Sequence, residues 1–411
     1  MNYAIKTYGC KLNQAETGNL KKVLRDLNHV KPENAELIII NSCGIINKTE
    51  RKILKEIKKW KSRNKKVMIT GCLPSINENV EKEVDIAMKG NNPEIFRLKL
   101  SELCSLKSDV RKKISTIRKK ESASVIIPAS TGCLGSCSYC SAKIARGKLN
   151  SYPAKEIVKV VREELKKGAK EIQLTSQDLG VYGIDLEKTS LINLVEKILR
   201  IDNDFKLKLG MMNPGHIKES MNEFLSLFKD DRLYKFLHIP VQSGSISTLK
   251  KMNRNHSVVD FVEIADSIRD QHKDFLLATD IIVGFPGETE KDFKKTIELI
   301  KRTRPHIINI TRYSERKGTP ASKLKDMPSK IKKERSRKLT ELGKEIRLAD
   351  NQKMVGKKFR ALIYKKGKKE TKLARIFNGK AVVLPEGKIG KIEDIKIVDY
   401  KHNYLIGNVE P

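Results

Sequence analysis

The sequence predicts an α/β protein in three parts: an N-terminal doubly wound parallel α/β domain, a central partial (β/α)6 barrel and a small antiparallel β-barrel at the C-terminus. Three observations predict this. Apolar strand-like runs alternate with amphipathic helical runs through the first hundred residues, and again from Ser124 to about Ser314; such alternation builds parallel sheets. Runs such as Leu37–Ile40 are continuously apolar, which suits burial on both faces. From Met354 the pattern changes to short strand-like runs separated by glycines and lysines, the spacing of a small barrel. The expected segments are 1–108, 120–350 and 353–411.

In the first segment Tyr3–Tyr8, Ala35–Asn41, Lys66–Thr70 and Val84–Met88 read as strands, and Gln14–Leu27 and Lys48–Lys61 as helices. Each of the first three strands is followed by a cysteine with a glycine beside it: Cys10 with Gly9, Cys43 with Gly44, and Cys72 with Gly71. Residues just beyond the carboxyl ends of neighbouring parallel strands converge on one crevice. With strands about 4.8 Å apart, three thiols placed there can meet around one centre. Buried free cysteines are the plain alternative, but that reading gives no reason for three at the same topological position. Cys104 lies in a helix-like stretch and reads as structural. Leu106–Ser124 is polar and basic without an apolar period; it reads as a linker carrying an edge strand, or as an exposed helix face.

Six strands follow: Val125–Ala129, Glu171–Thr175, Lys206–Met211, Phe236–Pro240, Leu276–Val283 and Ile307–Thr311. Helices are expected at Ala154–Lys166, Leu191–Leu199, Lys218–Phe228, Val258–Arg269 and Glu290–Lys301, the first preceded by Pro153. A barrel-like sheet carries its site at the C-terminal strand ends. Polar or glycine-containing clusters stand there: Thr175–Asp178, Met212–Pro214, His238–Ser245 and Gly284–Glu288. The last of these could be a phosphate-binding turn, but it lacks the Lys-Ser/Thr of a P-loop. Ser329–Lys353 is a long basic helix.

Between the first of these strands and its helix lies Thr131–Arg146, with Cys133, Cys137 and Cys140 in C-x3-C-x2-C spacing. Three thiols in a loop rich in glycine and serine can face one inorganic centre. Structural zinc usually takes four protein ligands, whereas an iron–sulfur cubane held by three cysteines leaves one iron open to a small ligand.

The bulk composition narrows the partner. The 411 residues hold 84 Lys and Arg against 50 Asp and Glu, a formal net charge of +34. Lysines that merely solvate helices account for part of this, but the acidic residues do not rise in step. A polyanion is implied, nucleic acid first. Aromatics are only 5%, which favours a grip on phosphate and shape over base stacking. Residues 353–411 carry 15 Lys and Arg against 6 Asp and Glu, a net of +9. The opening MNYAIKTYGC is too short and polar for a signal peptide, and no run reaches the roughly 18 apolar residues of a membrane span. A cytoplasmic protein with no membrane partner is expected. In that compartment seven cysteines mean metal or catalysis rather than disulfides.

The C-x3-C-x2-C loop after the first strand of a (β/α)6 sheet resembles the radical S-adenosylmethionine (SAM) superfamily. Further motifs resemble its methylthiotransferase branch: TYGCKLNQAE at 7–16, NSC at 41–43, TGCLP at 70–74, ARGKLNSYP at 145–153, LTSQDLGVYG at 174–183, HIPVQSGS at 238–245, MNR at 252–254 and TDIIVGFPGETEKDF at 279–293. The tail resembles a TRAM domain, and the match runs essentially end to end. CLGSCSYC followed by KIARGKLNSYP is similar to the archaeal and eukaryotic group acting on threonylcarbamoyladenosine in tRNA. No long hydrophobic anchor follows the tail barrel, which favours an archaeal, soluble form.

The resemblance implies two [4Fe–4S] clusters. Cys133, Cys137 and Cys140 would bind the SAM-cleaving cluster, and Cys10, Cys43 and Cys72 an auxiliary one. It implies two SAM molecules per turnover, an electron donor, and a monomer acting on the tRNA anticodon stem-loop. The reaction would place a methylthio group on carbon-2 of the modified adenosine at position 37. Candidate SAM contacts are Tyr139, whose backbone would lie near the adenine, with Gln177, Asp178, Gln242, Ser243, Asp280 and Gly284. Each has a competing role as a core or turn hydrogen-bond partner. Other substrates in the branch are isopentenyladenosine tRNA and a ribosomal-protein aspartate; a metal-stabilised RNA-binding protein without catalysis is the non-enzymatic reading. The basic tail favours tRNA, and the polar strand ends favour an enzyme.

Overall fold

Strands and helices alternate from the first residues of the chain. A computed structural model describes the 411 residues except 46, 103–113, 115, 119–120, 188, 273 and 411. These residues form two units: Met1–Ile117 with Ile126–Asn150 and Ser314–Lys323, and Arg118–Val125 with Ser151–Tyr313 and Leu324–Pro411. Cys104 and most of the expected linker lie outside the described residues; within it, Ile117–Arg118 forms a two-residue edge strand.

The first unit is built on a parallel sheet whose central strands are β1 (Asn2–Thr7), β2 (Leu37–Ser42) and β3 (Lys66–Gly71). Two-residue strands lie at its edges, giving the order Asn28–His29, β1, β2, β3, Ile86–Ala87. Successive side chains of a strand point to opposite faces. Leu37 and Ile39 therefore join Leu20 and Val23 of helix α1 (Lys11–Val23) on one side. Ile38 and Ile40 join Ile53, Ile57 and Trp60 of α2 (Asn47–Lys61) on the other. Each fully buried aliphatic side chain contributes about 2 kcal/mol, and the two-faced core explains the unbroken apolar run. This is the doubly wound arrangement expected. Helix α1 starts earlier than expected, with Cys10 at its N-cap, and ends at Val23, where Leu24–Asp26 tighten into a 3-10 turn. The fourth strand is only Ile86–Ala87, because Glu78–Glu83 form a 3-10 helix just before it. In this strand order the chain switches direction between β1 and β2, and ligands of open α/β sheets bind outside the carboxyl ends of the strands at such a point.

The second unit holds the partial barrel. Strand β4 (Ser124–Pro128) enters it with Ser124 and Val125, followed by β5 (Glu171–Thr175), β6 (Lys206–Lys208), β7 (Phe236–His238), β8 (Leu276–Val283) and β9 (Ile307–Arg312). Pairings β5–β6, β7–β8 and β8–β9 are parallel, and parallel bridges Leu207–Leu233 and Met211–His238 carry the order across from β6 to β7. The third strand is shorter than expected. The helix expected at Lys218–Phe228 shrinks to Met221–Ser226 plus a 3-10 turn, with Lys218 instead reaching Asp260 and Glu263.

The last strands, β10 (Lys358–Lys366), β11 (Lys372–Ile376), β12 (Ala381–Leu384), β13 (Ile392–Tyr400) and β14 (Leu405–Val409), close into a barrel in the order β10-β11-β12-β14-β13. Closure removes exposed strand edges, and the interior is filled by Ala361, Ile363, Ala374, Ile376, Val382, Leu384, Ile395, Ile397 and Leu405.

This barrel docks on the N-terminal ends of the partial-barrel strands. Ala123 N donates to Tyr364 O (2.8 Å) just before β4, and Lys235 N donates to Phe377 O (3.1 Å) just before β7. Asn378 Nδ2 donates to Asp274 O (3.1 Å) just before β8. At the start of β5, Glu171 is fully buried against Arg375 (2.8 Å) and Tyr234 Oη (3.0 Å).

Candidate functional site

None of the six described cysteines is in a disulfide, and all six belong to the first unit. Cys10 follows β1, Cys43 follows β2, and Cys72 follows β3 at the start of α3 (Leu73–Ile76). Cys10 is exposed, while Cys43 and Cys72 are buried.

What brings the three strand ends together is Asn13, on the first turn of α1. Its Nδ2 donates to Tyr8 O (3.1 Å) and Ser42 O (2.8 Å), tying the ends of β1 and β2. Its Oδ1 accepts from Cys10 Sγ at 3.4 Å and faces Cys72 Sγ at 4.0 Å. Asn41 Nδ2 returns a bond to Asn13 O (2.8 Å) and reaches Thr17 Oγ1 (2.9 Å). Buried amides must find partners, and here they find them among the three loops.

The second cysteine loop enters this network. Helix α4 (Ala142–Arg146) follows Cys140 and ends on Arg146. The Arg146 side chain is only 5% exposed. Its Nε donates to Cys72 Sγ (3.1 Å), one Nη to Asn13 Oδ1 (2.5 Å), and the other pairs with Glu16. Burial alone would lower the guanidinium pKa, but Glu16 and the Cys72 and Cys10 thiols outweigh it and hold it above its ordinary value. Burial pushes the Cys72 thiol up to about 11; Arg146 opposes this, and Cys43 and Cys10 add to it. A bound metal would offset that desolvation, since a coordinating thiol is deprotonated outright.

In the loop itself Gly132 takes φ +74°, and a Cβ there would fall 1.8 Å from Lys148 O. That close approach is what turns the chain into Cys133. A Cβ at Gly135 would lie 3.4 Å from Cys133 Sγ and 3.8 Å from Cys137 Sγ, so both sulfurs flank this one residue. Cys140 N donates to Cys137 O (3.1 Å), and Ala142 N to Cys140 Sγ (3.4 Å). Tyr139 is half-buried. The buried hydroxyls of Ser130 and Ser141, on either side of the loop, have no hydrogen-bond partner. Among the described residues no three His, Cys, Asp or Glu close to single-ion coordination; a four-iron cluster is wider than one ion and holds its thiols farther apart. Three partly exposed thiols on one loop, with orphaned hydroxyls beside them, fit an iron–sulfur cluster and a polar ligand.

The remaining predicted residues stand at the C-terminal strand ends of the second unit. The Asp178 carboxylate is held by Gly180 N (3.0 Å), Asn213 N (3.1 Å) and His216 Nδ1 (2.8 Å). Gln177 keeps a buried Oε1 without a partner. Gln242 adopts φ +73°, a left-handed backbone uncommon outside glycine. It is locked by Gln242 N to Asp280 O (2.8 Å) and Ile282 N to Gln242 O (3.0 Å). Ser243 is fully buried and accepts from Ser245 N (3.2 Å). Asp280 joins His238 Nε2 (2.7 Å) and Asn309 Nδ2 (2.8 Å) in a polar row across β7, β8 and β9. Gly284 N donates to Glu288 Oε2 (2.7 Å). Sequence reasoning missed Asn13, Glu16, Asn41 and Arg146 as site residues, although all four fall within or beside the quoted motifs.

Three family models match the chain: the radical SAM superfamily over residues 127–300, the TRAM domain over 352–409, and a family described as uncharacterized protein family UPF0004 over 2–89. A probable threonylcarbamoyladenosine tRNA methylthiotransferase of Archaeoglobus fulgidus is 44% identical over 421 residues, covering 100% of this chain and 99% of the relative. One from Pyrococcus horikoshii is 38% identical over 98% of each chain.

The chain belongs to the threonylcarbamoyladenosine tRNA methylthiotransferase family.

The human member is 35% identical over 82% of this chain and 61% of its own length. Among solved structures, the radical SAM methyltransferase TsrM of Kitasatospora setae aligns with TM-score 0.57 at 13% identity, covering 78% of this chain and 77% of its own. The cobalamin-dependent radical SAM enzyme OxsB aligns with TM-score 0.51 at 12% identity over 84% and 56%. At such identities these share the fold. Membership in the radical SAM superfamily implies a [4Fe–4S] cluster and SAM. No helix among the described residues is long and apolar enough to cross a membrane.

Proposed function

We propose that this protein converts N6-threonylcarbamoyladenosine at position 37 of tRNA to its 2-methylthio derivative, using two [4Fe–4S] clusters. The observation that carries the two-centre reading is Arg146: it leaves the loop of Cys133, Cys137 and Cys140 and bonds Cys72 among the strand-end cysteines. An aromatic C–H carbon has neither leaving group nor acidic proton, so acid–base side chains alone cannot substitute it. When bound, the cluster and SAM supply the one-electron chemistry, a 5′-deoxyadenosyl radical.

In this reading Cys133, Cys137 and Cys140 would hold the radical-generating cluster at which SAM is cleaved. Cys10, Cys43 and Cys72 would hold the auxiliary cluster, which would supply the sulfur, with a second SAM as the source of the methyl group. Asn13 and Arg146 orient those thiols and screen Cys72 from water. Tyr139, Gln177, Asp178, Gln242, Ser243, Asp280 and Gly284 are read as SAM contacts, and Asp178 also holds the loop after β6 through Asn213 N. The segments 1–108, 120–350 and 353–411 divide the work into sulfur supply, radical chemistry and RNA binding. An electron donor completes the system, and the chain acts as a cytoplasmic monomer.

Anaerobic reconstitution tests the reading. About eight irons per chain and release of 5′-deoxyadenosine on reduction are expected; bound zinc without SAM cleavage would sink it. Cys137→Ala is expected to abolish SAM cleavage, whereas Cys43→Ala spares cleavage and stops methylthiolation; equal loss in both refutes the division of roles. Nucleoside mass spectrometry of tRNA from cells lacking the protein is expected to show no methylthiolated threonylcarbamoyladenosine.

A further inference from the structure

The C-terminal barrel and the polar strand ends lie at opposite ends of the parallel strands of the second unit. The barrel holds Ala123, Glu171, Lys235 and Asp274 at the N-terminal ends, while Gln177, Gln242 and Gly284 stand at the C-terminal ends. An RNA gripped by the barrel and presented at the strand ends must therefore pass along the outer helices.

One helix runs that distance. Helix α5 (Ala154–Lys166) connects the C-terminal end of β4 to the start of β5, whose first residue, Glu171, bonds the barrel's Arg375. Its 13 residues span about 20 Å. Along its outer face stand Lys155, Lys159, Arg162 and Lys166, at successive spacings of four, three and four. These spacings keep side chains on one stripe. Lys197 and Arg200, on and just after helix α6 (Leu191–Leu199), face them across an open groove of about 660 Å³ in which Glu163 is the one acidic lining residue.

Like charges one turn apart destabilise a helix, and acidic partners normally relieve them. Here Lys155, Lys159, Arg162, Lys166 and Lys197 form no ion pair among the described residues, and Arg200 approaches Glu196 only at 4.0 Å. On the basic helix at Ser329–Gln352, Lys332, Arg335 and Lys338 pair with carboxylates, while Lys330, Lys333, Arg337, Lys344 and Arg347 form no ion pair among the described residues. Unpaired lysines occur on other helices too; what sets this groove apart is that cations from two helices converge on one concavity whose lining holds a single carboxylate, Glu163.

We propose that the α5–α6 groove is a docking track for the phosphate backbone of the tRNA stem, carrying it between the C-terminal barrel and the strand ends. The proposal rests on tRNA being the substrate. Cations spaced along a groove contact phosphates without reading bases, so the track adds affinity and salt dependence rather than sequence choice.

The test replaces Lys159, Arg162, Lys166 and Lys197 together by Gln, with Lys291, Lys294, Lys295 and Lys301, exposed on another outer helix (Glu290–Thr303), replaced by Gln as the charge-matched control. Binding of full-length tRNA and of an isolated anticodon stem-loop is measured from about 50 to 200 mM salt. The track variant is expected to bind both full-length tRNA and the stem-loop about tenfold more weakly, with a salt slope shallower by roughly three, whereas the control binds both as wild type does. Replacing Lys159, Lys166 and Lys197 by Arg should retain tRNA affinity. Equal weakening in variant and control, or an unchanged salt slope in the track variant, overturns the track. Failure of the wild-type protein to bind any tRNA overturns the substrate reading itself.

Discussion

Arg146 brings one guanidinium against a carboxylate and an amide of α1, Glu16 and Asn13, and a thiol that follows β3, Cys72. Arg146→Gln leaves Glu16 buried without its cation, so a loss of about 3 kcal/mol in denaturant unfolding is expected. Arg146→Lys keeps the charge but not the planar set of donors, and should retain stability better than it retains the Cys72 contact. In a background where Cys133, Cys137 and Cys140 are Ala, Arg146→Gln is expected to lower iron content below that of the parent. With the loop cysteines intact, SAM cleavage should persist. Unchanged iron in the triple-Ala background would remove Arg146 from the auxiliary site. A second residue-scale prediction concerns His256, buried between Asn213 Oδ1 (3.1 Å) and Val241 O (3.2 Å). Burial, reinforced by Arg254, lowers its pKa from 6.5 to about 4. The unfolded chain therefore takes up this proton before the folded one does. Stability is unaffected above about pH 6.5 and is lost as pH falls toward 4, by up to about 3 kcal/mol for this residue. Urea unfolding at pH 7 and pH 4.5 checks this: His256→Gln should show a smaller drop than the wild type.

At the scale of elements, the cysteine loop depends on backbone more than on side chains. Gly132 and Gly147 share a φ of +74°, but a Cβ at Gly132 collides with Lys148 O while one at Gly147 meets nothing within 4 Å. Gly147→Ala is expected to cost about 1–2 kcal/mol, the ordinary penalty for a left-handed residue. Gly132→Ala should cost more and displace Cys133, so reconstituted iron falls by about half while the strand-end cysteines keep theirs; iron counts and melting curves on the pair separate strain from collision. The elements themselves were largely legible beforehand, because burial period and strand-end cysteines are local signals. Misjudged ends arose where short-range geometry intervened: α1 starts at Lys11 because Cys10 serves as its N-cap, and the fourth strand of the first unit shrinks after a 3-10 helix.

Across the whole molecule, the position of the C-terminal barrel hinges on Glu171 and Arg375, 204 residues apart. Glu171 is held ionised despite complete burial, which opposes it, by Arg375, Ser124, Lys208 and Gln173. Arg375 also stacks over Tyr364, 4.2 Å from its ring. Arg375→Met is expected to destabilise by about 3 kcal/mol and to expose the C-terminal barrel to proteolysis. The double change with Glu171→Gln should lose less than the sum of the singles, as expected for partners in contact; strict additivity would show that the pair does not hold the barrel in place. No periodicity or motif marks such a contact, since either residue alone reads as one more surface charge in a chain of net +34. The sequence by itself determined the two three-cysteine sets, the parallel sheets that present them and the basic tail, because spacing and hydrophobic period are written locally. Only the tertiary structure decided that Arg146 joins one set to the other, that Asn13 gathers three strand ends, and that the C-terminal barrel sits at the N-terminal ends of the strands. Those outcomes depend on which buried polar groups find partners across long stretches of chain, a condition that exists only once the core has closed around them.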